Sequence, residues 1–259
     1  MTTLEMEVGG EIQPGELCSP IIDLRQYTLF PGVRNEFVEL FDREFVETQE
    51  AAGMRVIGQF RDLGDPNRFV WIRGFPDMAA RARALKDFYV ESEAWKKHSS
   101  RARSMMIDSS DALLLRPARS NSGFLLPPRD DRSGLHSSPS DGVVAASIYT
   151  LASAADTGFP DFFDSAVAPL ITAAGGSILA SFVTENSPNN FPPLPLREGE
   201  NVYVSFCAYS NLSAYHDALA LLGRNDRWRG EIWPALLRRI HSRPQVVRLV
   251  PTSRSQVRP

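Results

Sequence analysis

The sequence repeats itself at long range. Tyr27-Thr28-Leu29 returns as Tyr149-Thr150-Leu151, and Ala51-Ala52-Gly53 returns as Ala173-Ala174-Gly175. Both pairs are 122 residues apart (149 − 27), and Phe60 and Phe182 share that offset. Further along, Gly74-Phe75-Pro76-Asp77-Met78 answers Ala208-Tyr209-Ser210-Asn211-Leu212, and Arg116-Pro117 answers Val250-Pro251, now 134 apart (208 − 74). The offset therefore opens once, by about twelve residues, at the Pro- and Asn-rich stretch 186–197, and then holds. A period this long marks a domain duplication and not a solenoid. A chain of 259 residues then reads as two small domains instead of one large one.

Each copy carries the same pattern of elements. In the first, residues 21–29 alternate apolar and polar side chains and read as a strand stopped by Phe30-Pro31-Gly32. Phe37, Leu40, Phe41 and Phe45 recur at helical spacing, predicting a helix to about Ala52 with Gly53 as its terminator. Strands over 54–62 and 69–75 flank the turn at 64–67 and form a hairpin. Asp77 is placed to cap a helix through Phe88, a second helix covers about 91–106, and 112–116 is a short last strand. Strand, helix, strand, strand, helix, strand is the split βαβ order of a ferredoxin-like unit, an α+β fold with helices on one face of an antiparallel sheet. The second copy repeats the order from Val143 to Val250, with a helical stretch around Trp228 and Trp233. The expected organisation is a disordered tail (1–19), a first unit (20–117), a linker rich in Ser, Pro, Arg and Asp (118–142), a second, diverged unit (143–251) and a short tail (252–259). Two such sheets can pack face to face.

Composition narrows the function. A net charge of −3 gives no basic footprint for nucleic acid. No apolar run approaches the eighteen residues that a membrane span needs, and the N-terminus has no basic-then-apolar signal pattern, so a cytoplasmic location is expected. The two cysteines, Cys18 and Cys207, sit in unlike contexts without metal-ligand spacing, so no disulfide framework or metal site is expected. Arginine greatly outnumbers lysine, which occurs only at 86, 96 and 97, and this points to a GC-rich bacterial genome. Phosphate loops, nucleophile elbows and HExxH motifs are absent from the sequence.

The first copy resembles the NIPSNAP family of the dimeric α/β-barrel superfamily, and the chain as a whole resembles a tandem duplicated form of it. The resemblance rests on Leu24-Arg25-Gln26-Tyr27-Thr28-Leu29 followed by Pro31-Gly32, on the stretch from Gln49 to Arg61, on Phe69-Val70-Trp71-Ile72-Arg73-Gly74-Phe75, on Trp95-Lys96-Lys97-His98 and on the ending Leu113-Leu114-Leu115-Arg116-Pro117. It implies two ferredoxin-like units whose sheets form one barrel, here within a single chain. It implies function far less, since the superfamily holds cofactor-free monooxygenases, haem-binding proteins, isomerases and proteins without known chemistry.

Strand alternation puts Arg25 and Tyr27 on one face, and Trp71 and Arg73 on one face. If Gln59 shares that face, the sheet presents two guanidiniums, a phenol, an indole and an amide together, suited to a polar or anionic ligand. The structural alternative has Arg25 and Arg73 paired with Asp23, Asp62 or Glu50. An imidazole at position 98 could act as a base, a proton shuttle or a haem ligand. The candidate catalytic residues are thus His98, Arg73 and Tyr27, with Arg25, Gln59 and Trp71 binding substrate. In the second copy the matching positions are Ser147 for Arg25, Ser181 for Gln59, Ser205 for Trp71 and Cys207 for Arg73; only Tyr149 keeps its type, and His98 falls near Ile232. The first unit reads as the ligand half, with a helix–sheet cavity larger and more polar than its counterpart. His216 and His241 read as structural or surface residues, and His136 as a linker residue without a role. The insertion reads as a rigid surface loop, with a polyproline ligand for a partner as the other reading. The leading function is a small-molecule enzyme, a cofactor-independent oxygenase, isomerase or cyclase on an aromatic or polyketide-like compound in secondary metabolism. The alternatives are a haem- or ligand-binding protein without turnover and a structural scaffold. A homodimer is compatible with the sequence.

Overall fold

The structure, a computed structural model, describes residues 16–135, 141–153 and 158–259. Most of the expected N-terminal tail and His136 lie outside the described residues. The strands are β1 (Glu16–Leu17), β2 (Ile21–Leu29), β3 (Arg55–Asp62), β4 (Arg68–Phe75), β5 (Met106–Asp108), β6 (Ala112–Pro117), β7 (Leu125–Leu126), β8 (Val143–Thr150), β9 (Ser177–Thr184), β10 (Val202–Tyr209) and β11 (Gln245–Pro251). Helices run over 34–51, 78–91 and 93–104 in the first half and over 159–173, 212–224 and 228–237 in the second, several interrupted by a single π-turn.

Both halves build the same sheet. The first orders its strands β6-β2-β4-β3 and the second β11-β8-β10-β9, all antiparallel. That is the ferredoxin-like order in each case. The sheets do not remain two layers packed face to face, as expected from their apolar faces alone. Their edges pair instead. β11 joins β3 through Leu249–Asp62, Val250–Arg61 and Pro251–Phe60, and β6 joins β9 through Leu115–Thr184, Arg116–Val183 and Pro117–Phe182. Eight antiparallel strands thereby close into one barrel, which removes the unpaired edges that each sheet alone would present.

The barrel interior is filled by alternate residues of every strand, among them Ile22, Leu24, Phe60, Val70, Ile72, Ile148, Phe182, Val204, Phe206 and Leu249. Two segments expected to be a linker and a tail contribute to that core. Phe124 and Leu126, between the units, are 2% exposed, and the Phe124 ring lies 5.3 Å from Phe182 and 5.0 Å from Phe206. Val257 is also buried there, after Thr252 and Gln256 donate from their backbone N–H groups to the Gln59 and Ile57 carbonyls. The polar composition of 118–142 hid this, because a plug needs only a few apolar residues to seal a barrel end.

Irregularities recur at the sequence offset. A π-turn at Phe41–Phe45 returns at Phe163–Val167, and Gly53 and Gly175, both at positive φ, close the two first helices. One extra residue bulges each second strand, between Val56 and Gly58 in β3 and opposite Phe206/Cys207 in β9. Asp77 caps its helix by accepting from Ala80 N at 2.6 Å, and Asn211, 134 residues on, caps its own by accepting from Ala214 N at 2.9 Å.

Candidate functional site

The helix-covered face of the first sheet holds the polar residues. Arg25, Trp71 and Gln59 lie side by side on β2, β4 and β3, and Asp23 lies beside Arg73 one pair along. The β3 bulge decides where Gln59 points. With unbroken alternation from Val56 it would face the barrel interior; the extra residue turns it to the helix side. Gly58 lets the bulge close, since a Cβ there would meet the Phe60 ring at 2.6 Å. Among the candidates, Arg25, Gln59 and Arg73 are fully buried, Trp71 is 1% exposed and Tyr27 5%.

One carboxylate organises three guanidiniums. Arg73 donates from Nε and Nη2 to Asp23 Oδ2, both at 3.0 Å, and Arg81 donates from Nε to Asp23 Oδ1 at 3.1 Å. Arg25 Nη1 stands 4.0 Å from the same carboxylate. Burial alone would raise the Asp23 pKa, but the charges of Arg73, Arg81 and Arg25 outweigh it and hold the group below the ordinary carboxylate range. The remaining Arg73 nitrogen, Nη1, donates to Gln49 Oε1 and to Tyr89 Oη, both at 3.2 Å. Its guanidinium sits 4.8 Å from the Trp71 ring centre. Burial raises the Tyr89 phenol, so Tyr89 is a neutral acceptor that keeps its own hydrogen to donate.

The pairing of Arg73 with Asp23 is thus real, but the balance is unequal. Three cations meet one anion, leaving two positive charges (3 − 1) inside the protein. Arg25 Nε and Nη1, Arg81 Nη2, Trp71 Nε1 and both amide atoms of Gln59 have no hydrogen-bond partner among the described residues. Buried groups of this kind are ordinarily satisfied, and charged ones left bare cost several kcal/mol.

The insertion at 186–197 closes this region from the other half of the chain. Phe191, Leu194 and Leu196 pack on the first unit's helix-side core. Asn189 Oδ1 and Asn190 Oδ1 accept from Arg81 Nη1 at 3.3 and 2.7 Å, Asn190 Nδ2 donates to the Met78 carbonyl at 2.5 Å, and the Pro195 carbonyl accepts from Arg25 Nη2 at 3.4 Å. The loop expected to be a rigid surface feature is a strap packed over the first unit.

Between strap, helices and sheet lies a cavity of about 230 Å³, just under the ~300 Å³ lower end for small-molecule pockets. Its walls are aromatic: Tyr27, Phe37, Phe41, Phe45, Phe88, Tyr89 and Trp95, with Phe191 of the strap. Tyr27 and Tyr89 join the wall to the cationic cluster, since Arg25 lies 5.7 Å from the Tyr27 ring centre and Arg73 bonds to Tyr89. The guanidiniums themselves stand behind this wall. Such a cavity offers rings a hydrophobic seat and offers negative charge a positive field in a region of low dielectric.

His98 is not part of the lining. Its Nε2 lies 3.4 Å from Glu44 Oε2 on the helical side of the unit. A haem ligated by His98 does not fit this arrangement, and the lining holds no histidine. Gln59 belongs to the buried row behind the wall. Sequence reasoning missed Arg81, Tyr89, Gln49 and the strap. Arg81 was detectable, because it interrupts the apolar stripe Met78, Leu85, Phe88 at helical spacing, where an arginine needs a buried partner. Among the described residues no cluster of metal-binding side chains occurs, and no helix is long and apolar enough to cross a membrane.

The fold is that of a dimeric α/β-barrel, with both barrel halves in one chain. Residues 22–121 match the NIPSNAP family model, so the half that carries the cavity is the half that this model matches. Solved structures of similar fold span nearly the whole chain. A proposed monooxygenase from Lactobacillus acidophilus NCFM aligns with a TM-score of 0.53 and 14% identity over 92% of this chain and 96% of that one. Another from Fusobacterium nucleatum subsp. nucleatum gives 0.55 and 9% over 91% and 93%. An anthrone oxidase-like protein gives 0.51 and 11% over 89% and 90%. At these identities the likeness is one of fold. A search of the curated proteins gives no match.

Proposed function

We propose that the first unit binds a compact aromatic compound and stabilises its enolate or phenolate form, as a small-molecule enzyme acting without a bound cofactor. The observation that carries this reading is the aromatic-walled cavity backed by three guanidiniums and a single carboxylate. Stabilising the anion is the step shared by cofactor-independent oxygenation, isomerisation and cyclisation of aromatic or polyketide-like compounds. Tyr27 and Tyr89 supply hydroxyls at the cavity wall, with Arg73 behind them, so proton handling moves to them from His98. The fold neighbours described as proposed monooxygenases and as anthrone oxidase-like make a hydroxylated polycyclic aromatic the first substrate to try.

Quenching of the intrinsic fluorescence of Trp71 and Trp95 by anthrone and by 2-naphthol tests binding. Product analysis under oxygen and under nitrogen then tests turnover. Saturable quenching, weakened at least tenfold in Y89F or W95A, is the expected result. Quenching that rises linearly with concentration in the native chain would remove the reading.

A further inference from the structure

Two features of the strap have no explanation in barrel packing. It comes from the second unit, yet its polar atoms are spent on the first unit's buried arginines. It meets those cations only with neutral acceptors, two side-chain amides and one carbonyl, and leaves the two surplus charges uncompensated. A neutral oxygen satisfies a donor's hydrogen bond but not its charge, and a carboxylate in the same place makes a bond roughly twice as strong.

We infer that the strap is a stand-in for an anionic ligand group: the site takes a planar aromatic carboxylate, whose oxygens displace the Asn190 amide and the Pro195 carbonyl from Arg81 and Arg25 while its ring enters the aromatic cavity. This rests on the proposed small-molecule function and names its ligand class. The unpartnered Arg25 Nε and Arg81 Nη2, on residues with no exposed surface, are the donors waiting for such a group. Asp23 holds Arg81 through Nε at 3.1 Å, and the Ser109 carbonyl accepts from Arg25 Nη2 at 3.0 Å, so each guanidinium keeps a partner when the strap's acceptors leave. The ring contacts are already present, since Phe191 lines the cavity with its ring centre 6.1 Å from that of Tyr89. The strap is suited to exchange at these acceptors because Asn190, Pro193 and Pro195 are exposed. Opening it exposes the cations, and the insertion in the second copy thereby serves the first.

The test uses the full chain, with 2-naphthoate as probe and 2-naphthol as its uncharged counterpart, both followed by tryptophan quenching. Naphthoate should bind at least tenfold more tightly than naphthol. N190A removes the amide that competes for Arg81 and should tighten naphthoate binding by about three- to tenfold, whereas N190D places a fixed anion on Arg81 and should weaken it by about tenfold. Asn190 is exposed, so both variants keep the fold. Naphthol binding should change less than twofold in each. If naphthol binds saturably but naphthoate binds no better, or if N190A and N190D shift naphthoate in the same direction, the carboxylate assignment fails while the cavity reading stands. If neither compound binds, both fail.

Discussion

At the scale of single residues, two buried aspartates behave in opposite ways. Asp23 is held ionised by three cations, whereas Asp42, 3% exposed, is dominated by burial, which pushes it from 3.8 up to about 6 despite the Thr252 hydroxyl at 3.3 Å and the more distant Arg61, Arg254 and Arg132. A carboxyl that binds its proton more tightly when folded stabilises the protonated chain. Stability should therefore fall as pH rises from about 4 to about 6 and level off above. Asp42→Asn keeps a polar group for Thr252 without the charge. It should raise stability by about 2–3 kcal/mol at pH 7.5, leave it unchanged near pH 4, and flatten the slope between, as read from urea unfolding at a series of pH values. Arg73 carries the contrary expectation. From sequence alone, as a solvated site residue, its loss should cost no more than about 1–2 kcal/mol. Its complete burial against Asp23 and Gln49 changes that: Arg73→Ala should cost about 3–5 kcal/mol by the same measurement, because a paired charge and an amide lose their partner. Cys207→Ala, at the matching position of the second unit, should leave probe binding within twofold. Its thiol, raised to about 11 by burial, is neutral and stands on the other half.

At the scale of elements, the helix caps offer the cleanest measurement of the repeat. Asp77 and Asn211 take the same extended backbone and accept from the residue three positions on. Asp77→Ala and Asn211→Ala should each cost about 1 kcal/mol, and the two should add within about 0.5 kcal/mol because they cap helices on different units. These caps were legible in the sequence, as were the strands of both copies and the hairpin of β3 and β4, because each depends on residues close together in the chain. The shared face of Arg25, Tyr27, Trp71 and Arg73 was legible for the same reason: it follows from period-two alternation within one strand. The Gln59 side chain was only conditionally so, since its direction depends on a bulge that alternation does not reveal. Tertiary choices were hidden. Nothing local says that Phe124 plugs the barrel, that 189–196 crosses to the other unit, or that His98 meets Glu44 instead of the cavity. Each of these is decided by which surface a segment finds once the barrel has closed.

At the scale of the whole molecule, the two units have kept one half of a common plan and divided the other. The aromatic set is kept: Tyr27, Phe37, Phe41 and Phe69 correspond to Tyr149, Phe159, Phe163 and Tyr203, with ring-centre distances of 5.1 Å for both Phe37–Phe69 and Phe159–Tyr203. The polar row is not, because Arg25, Trp71 and Gln59 correspond to Ser147, Ser205 and Ser181, which pair in the same register in the second sheet. Packing is needed in both halves, whereas the buried arginine cluster is found in only one, so the second unit is free to contribute edges and the strap. Closure makes each unit depend on the other. Freed from its partner, a fragment of residues 16–135 would expose the β3 edge at Phe60–Asp62 and the β6 edge at Leu115–Pro117, together with the interior face carrying Ile22, Leu24, Ile72 and the ring of Phe60. In the intact chain each of these edges pairs with the non-equivalent edge of the other unit, β3 with β11 and β6 with β9. Two copies of the fragment can reproduce that arrangement, with β3 of each pairing with β6 of the other. The fragment should therefore elute as a dimer by light scattering at micromolar concentration and unfold at a midpoint that rises with protein concentration. A folded monomer with a concentration-independent midpoint would show that the first unit is stable without closure, and that the barrel seam is an association of finished domains instead of the completion of one core.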